Sequence, residues 1–95
     1  MKESIIRKKA IDKLKGEGWT TWWPAKVKFH ESDVFGCYDI LACKGNKVRW
    51  IQITSLSNIR ARERKIVGFL RASGARLPSE VWGLRKDKTF KIIKI

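Results

Sequence analysis

Asp39 and Gln52 are the polar residues most out of place in their surroundings. In "CYDILACKGNKVRWIQIT", residues 37–54, two apolar runs fold back around Gly45-Asn46, with Asp39 inside the first and Gln52 inside the second. If Gly45-Asn46 is a two-residue hairpin turn, Lys44 faces Lys47, Cys43 faces Val48, Leu41 faces Trp50, and Asp39 faces Gln52. Alternation then places Cys37, Asp39, Leu41 and Cys43 on one sheet face with Val48, Trp50, Gln52 and Thr54. Opposed Cβ atoms lie ~5 Å apart. A carboxylate beside an amide is either a hydrogen-bonded pair at a strand end or the start of a polar site.

Two further groups could work with this pair. Glu3 falls at the centre of the Ile6–Ala10–Leu14 stripe of a predicted N-terminal helix. An acid in a first helical turn ordinarily complements the helix dipole, for ~0.3–1 kcal/mol. It joins a site only if the stripe packs on the Asp39 side of the sheet. In a second predicted helix, Ile59, Ile66 and Leu70 make the apolar stripe, with Val67 and Phe69 at its edges. Arg60, Arg64 and Arg71 fall on one flank, Arg62 and Lys65 on the other, and Glu63 is the only acid in that helix. Cations this poorly compensated point to phosphate contact rather than a merely solvated face.

The elements that must position these residues follow from periodicity and turn chemistry. Residues 2–15 read as a helix stopped by Gly16 and Gly18. "WTTWWPAKVKF" (19–29) is rich in β-formers, and Pro24 marks it as an edge strand or an irregular start. After the loop "HESDVFG" comes the hairpin. Residues 57–73 read as the second helix, with Ser57 or Asn58 as N-cap and Gly74 past its end. "EVWGLRK" and "TFKIIKI" are two final strands around a turn at Asp87. The order α-β-β-β-α-β-β predicts a mixed α+β or α/β sandwich.

The 95 residues are read as one domain, 1–95, with a single modest core. With 43% hydrophobic residues the chain can bury a core, so disorder is not expected. Twenty-two Lys and Arg against nine Asp and Glu give a net charge of +13. That excess costs self-repulsion in the folded state and is best explained by a polyanion partner. Nucleic acid is preferred to a membrane surface, because the cations are spread along the chain rather than gathered on one amphipathic face. No apolar run approaches the ~20 residues needed to span a bilayer, and the N-terminus lacks a signal-peptide pattern. An intracellular location is the expectation.

Cys37 and Cys43 lie six apart in one predicted strand, ~20 Å and far beyond disulfide reach. They are expected to be buried, reduced thiols, and no zinc-ligand spacing is present. The five tryptophans are assigned mainly to packing, although an exposed "TWW" would suit base stacking. His30, the only histidine, sits in a loop beside Glu31 and Asp33 and is given no role. No Gly-rich phosphate loop and no Ser/His/Asp grouping is visible, which argues against NTPase and serine-hydrolase chemistry.

A helix bearing an acid, a strand, a hairpin with Asp on one arm and a polar pair two apart on the next, then another helix, resembles the PD-(D/E)XK nuclease superfamily. The small archaeal and viral Holliday junction resolvases look nearest in length and order. The resemblance implies a restriction-endonuclease-like α-β-β-β-α-β core, here with an extra C-terminal strand. It implies that Glu3 is the helix acid and that Asp39, in "YDILA", is the motif aspartate; Asp33, in "SDVFG", is the alternative. In "IQIT", Gln52 takes the slot of the second motif acid and Thr54 the slot of the motif lysine. A displaced lysine is one solution in that superfamily, and Lys26, Lys28 and Lys65 are the candidates here.

The resemblance further implies a Mg²⁺ or Mn²⁺ ion held by Glu3, Asp39 and Gln52, oxygen ligands of the type such ions take. The expected function is a metal-dependent DNA endonuclease acting on branched or double-stranded DNA, with junctions favoured, as a homodimer. Arg60, Arg62, Arg64, Lys65 and Arg71 would hold its phosphates. The competing expectation is a basic DNA-binding protein on the same fold that does not cut. A third is an RNA-binding module, or an interaction subunit whose charge serves an acidic protein.

Overall fold

The computed structural model of the protein describes residues 3–24 and 33–95, with Glu3 described in its backbone only. The chain runs α1 (Glu3–Gly16), β1 (Thr20–Trp22), β2 (Ile40–Lys44), β3 (Lys47–Ser55), a 3₁₀ turn (Leu56–Asn58), α2 (Ile59–Ser73), β4 (Ser79–Leu84) and β5 (Phe90–Lys94). The five strands form one sheet in sequence order, antiparallel except for the parallel β3–β4 pair. α2 supplies the crossover that a parallel pair requires.

The hairpin register is the one read from its turn. Lys44 pairs with Lys47, Cys43 with Val48, Leu41 with Trp50 and Ile40 with Ile51. Gly45, at φ 59°, takes the left-handed conformation that such a turn demands. The first arm is shorter than expected, because Cys37 belongs to a turn and β2 begins at Ile40. Of the strand expected over 19–29, the described part forms β1 with Trp23 and Pro24 beyond it, and residues 25–29 lie outside the described residues.

Each helix covers a different sheet face. The stripe of α1 (Ile6, Ala10, Ile11 and Leu14) packs on Ile40, Ala42, Ile51, Ile53, Trp82 and Leu84. On the other face, Ile59 and Ile66 of α2, with Phe69 and Leu70, pack on Cys37, Tyr38, Trp50 and Val81. Two expectations need correcting here. α1 does not lie on the face shared by Trp50, Gln52 and Thr54, so Glu3 belongs to a helix packed on the opposite side. Cys43 is exposed, whereas Cys37 is buried; both thiols are free.

The ends of α2 divide in the same way. Gly74 closes the helix at φ 70°, its N–H donating to Leu70 O at 2.9 Å. At the start, Asn58 makes no side-chain cap; the 3₁₀ turn leads into the helix instead. Gly83 permits that entry to sit close on β4. A Cβ at residue 83 would lie 2.8 Å from Ile59 Cδ1 and 3.3 Å from Leu56 Cα.

Candidate active site

Asp39 lies one residue before β2, where the antiparallel ladder breaks. Its backbone N–H donates to Ile51 O at 2.8 Å, and its Oδ2 accepts from Ile53 N at 2.9 Å. The carboxylate thus replaces the backbone partner that β3 loses where β2 ends. These two contacts bracket Gln52 from both sides. Asp39 is not the simple cross-strand mate of Gln52 that continued pairing would have made it; the strand turns away, and the side chain takes over.

Asp39, Gln52 and Thr54 are all buried, Asp39 at 5% exposure and Gln52 at 2%. Gln52 Oε1 has no hydrogen-bond partner. An unsatisfied buried carbonyl costs ~1–3 kcal/mol, so sequences retain one mainly where something else uses it. The other such atom among the described residues is Thr21 Oγ1. Thr21 pairs with Ala42, which is buried on the α1 face. A carboxylate bonded to the backbone flanking Gln52, and an amide oxygen without a donor, are oxygen groups of the type a hard divalent cation takes. Among the described residues, no three His, Cys, Asp or Glu side chains form a metal-binding group.

The surroundings of this pair are apolar and aromatic. Tyr38, buried next to Asp39, hydrogen-bonds Ser79 Oγ through its hydroxyl at 2.6 Å. Burial raises the Tyr38 pKa, and the Ser79 bond offsets it only in part. The Cys37 thiol is also pushed up, first by burial; the Lys65 charge opposes this, while Asp33 and Asp39 reinforce it. Lys65, Asp33 and Asp39 are therefore all within electrostatic reach of one buried sulfur. Lys65 itself is exposed, on the outer part of α2. Lys26 and Lys28, the other candidates for a displaced lysine, lie outside the described residues, as does the Glu3 side chain.

The cations of α2 keep the exposure expected of them. Arg60, Arg64, Lys65 and Arg71 face solvent, and Arg62 is half-buried. Arg60 pairs with Glu63 at 2.9 Å in an exposed ion pair of little energetic weight.

Two arrangements were not anticipated from the sequence. On the α1 face, Arg49 Nε donates to Glu80 Oε2 at 2.7 Å, and its Nη2 bonds Oε1 in a bidentate pair. Trp82 Nε1 also donates to Glu80, at 3.0 Å. The guanidinium lies 4.9 Å from the Trp19 ring centroid and 5.3 Å from that of Trp82. Burial pushes the Glu80 pKa up, but the Arg49 and Trp82 hydrogen bonds and the Arg49 and Lys94 charges outweigh it, leaving a net lowering. The parallel β3–β4 register creates this pair, opposing Ile51 to Glu80; its sequence signal was one acid opening an otherwise apolar strand. The second arrangement is Phe35, an exposed ring stacked on Phe69 and near Trp50.

No protein-family model matches the chain, and no curated protein matches it. Among solved structures, it is similar to Hjc, a Holliday junction resolvase from the archaeal hyperthermophile Archaeoglobus fulgidus. The TM-score is 0.62 over 96% of this chain and 75% of that one, at 15% sequence identity. The mixed α+β architecture, a five-stranded sheet with two helices, is therefore the fold of an Hjc-like nuclease.

Proposed function

We propose that the protein is a divalent-metal-dependent endonuclease that hydrolyses phosphodiester bonds in DNA, with branched or junction DNA as its substrate. The observation that carries this reading is the pair at the end of β2. The Asp39 carboxylate brackets Gln52, whose buried amide oxygen has no donor. Similarity of fold to a junction resolvase supports the choice of substrate.

Asp39 and Gln52 would hold Mg²⁺ or Mn²⁺; the helix acid of the resembled PD-(D/E)XK pattern, Glu3 here, opens a helix packed on the opposite sheet face and is not counted among the ligands. When bound, such an ion supplies Lewis-acid polarisation of the phosphodiester and a more acidic water. The chain's own residues do the rest. The hydrogen bond from Ile53 N orients the Asp39 carboxylate. The apolar wall of Tyr38, Cys37 and Val81 limits water around the pair. Thr54 carries no charge, so the cation that steadies charge developing on the phosphate comes from elsewhere. Lys65 is the described candidate, since its charge acts on Cys37, two residues before Asp39. Arg60, Arg62, Arg64 and Arg71 on α2 bind flanking phosphates, and the net charge of +13 draws the polyanion in. The enzyme acts as a homodimer, which a solution mass measurement checks.

A second reading, binding without cleavage, is favoured by the neutral Gln52 and Thr54 in two slots where the resembled pattern is charged. One experiment separates the two. Branched, single-stranded and linear DNA are incubated with the protein in Mn²⁺, Mg²⁺ or EDTA. Metal-dependent cleavage that Asp39→Ala abolishes is expected. Tight binding with no cleavage in any metal, unchanged by that substitution, would leave only the second reading.

A further inference from the structure

We propose that Phe35 is a stacking platform for an unpaired nucleobase, presenting a branch-point base beside Asp39. The inference rests on the nucleic-acid reading above and deepens it by naming the structural feature recognised.

The argument begins with a conformation that does not suit its residue. Phe35 has φ 54° and Gly36 φ 74°, with Cys37 N donating to Val34 O at 3.1 Å and Val34 bridged to Tyr38. Two consecutive central residues at positive φ are the signature of a type I′ turn, which favours Asn, Asp or Gly at the first. A bulky residue there is an outlier with a real conformational cost. Exposure makes a second mismatch, since 61% of Phe35 is open to solvent. Local inconsistencies of this kind concentrate at functional positions.

What the turn achieves is the placement of a ring. Phe35 stacks on Phe69 at a centroid distance of 5.3 Å and an interplanar angle of 20°, and lies 6.0 Å and 30° from Trp50. Tyr38 meets both of those rings edge-on, at 5.5 Å and 6.0 Å, and so fixes them from beneath. The platform is therefore backed by packed rings and remains largely exposed. A flat apolar surface open to water, carried on rings that contact Tyr38, the residue before Asp39, has the chemistry of a base-stacking site, which accepts any base that has left its duplex. Charge favours the same occupant. The chain carries +13, and the α2 cations share the sheet face with Phe69, which suits a ligand that brings phosphates along with its base. Fully paired DNA offers no such base, so the platform discriminates in favour of branched or frayed substrates.

The test compares wild type with Phe35→Asn, the residue type the turn prefers, and Phe35→Trp, which keeps a ring. Phe35→Leu, which keeps apolar bulk without a ring, serves if Asn disturbs the Trp50–Phe69 packing. Binding is measured in EDTA by fluorescence anisotropy. One ligand is a forked DNA with an unpaired 2-aminopurine at the branch; the other is a paired duplex of equal length. The expected result is a loss of about 10- to 100-fold in fork affinity for the Asn or Leu variant, with duplex affinity within about twofold. Quenching of 2-aminopurine should disappear in those variants and persist in the Trp variant.

Unchanged fork binding, or an equal loss on fork and duplex, would overturn the proposal. So would a drop in oligomer mass without a change in DNA preference, which would make a second copy of the chain the occupant of Phe35. Failure of the wild type to bind either DNA defeats the nucleic-acid reading together with this inference. Binding and cleavage that ignore Phe35 defeat the inference alone.

Discussion

On the α1 face of the sheet, Arg49 and Glu80 bury opposite charges in a bidentate pair, with Trp82 donating to the same carboxylate and two indole rings flanking the guanidinium. On the α2 face, Asp39 and Gln52 are buried as deeply, yet the Gln52 amide oxygen finds no donor. The first arrangement returns the desolvation cost of its charges through geometry and leaves nothing over for a ligand. The second retains an uncompensated polar atom on a residue whose flanking backbone a carboxylate holds. Burial alone does not distinguish a structural polar group from a functional one. The accounting of donors and acceptors around it does.

Four measurements sharpen or break that contrast. The largest effect belongs to the closed pair: Glu80→Ala leaves the Arg49 charge buried without its partner and should cost about 3–5 kcal/mol in denaturant unfolding. A loss under 1 kcal/mol would mean the Arg49 side chain escapes to water. Gln52→Leu should do the opposite, raising metal-free stability by about 1 kcal/mol because an unsatisfied acceptor is removed. The wild-type melting temperature should rise on adding Mn²⁺, and that rise should vanish in Gln52→Leu. A metal shift that survives the substitution would take Gln52 out of the ligand set.

The third concerns pH. The folded Glu80 carboxyl sits below its ordinary value of 4.5. Its contribution is therefore complete above the unfolded pKa and is lost as pH falls through the folded one. Stability should decline below about pH 4.5, and Glu80→Gln should flatten that decline even though it lowers the plateau. The smallest effect is on the open side. Lys65→Ala should reduce the slope of log affinity against log salt for duplex DNA by about 1, with the melting temperature unchanged. An unaltered slope would remove Lys65 from the phosphate contacts.

The hairpin was legible because its determinants are local. Gly45 supplies the positive φ that the turn requires, and the alternating burial of Ile40 and Ala42 against Leu41 agrees with only one register. The same argument failed one residue further on. Nothing local announces that the chain leaves the ladder at Asp39 and that a carboxylate takes over the Ile53 amide. The side of the sheet chosen by α1 was likewise not available from its stripe. An amphipathic helix specifies that it must bury a face, and the partner face is set by connection and handedness. Arg49 and Glu80 are 31 positions apart and meet through the parallel β3–β4 pairing, a register no turn encodes.

Periodicity, turn residues and charge thus determined, without any tertiary information, the order of elements, the hairpin register, the apolar stripe of α2 and the expectation of a polyanionic partner. These are properties of short windows or of the whole composition. Tertiary structure alone decided that the helix carrying Glu3 packs on the sheet face away from Gln52 and Thr54, that Gln52 keeps an unmatched oxygen, and that Phe35 is held outward on a stack of rings. Each of these depends on which distant segments meet, and the free energy that selects those meetings is spread over the packed core rather than written in any one stretch of chain.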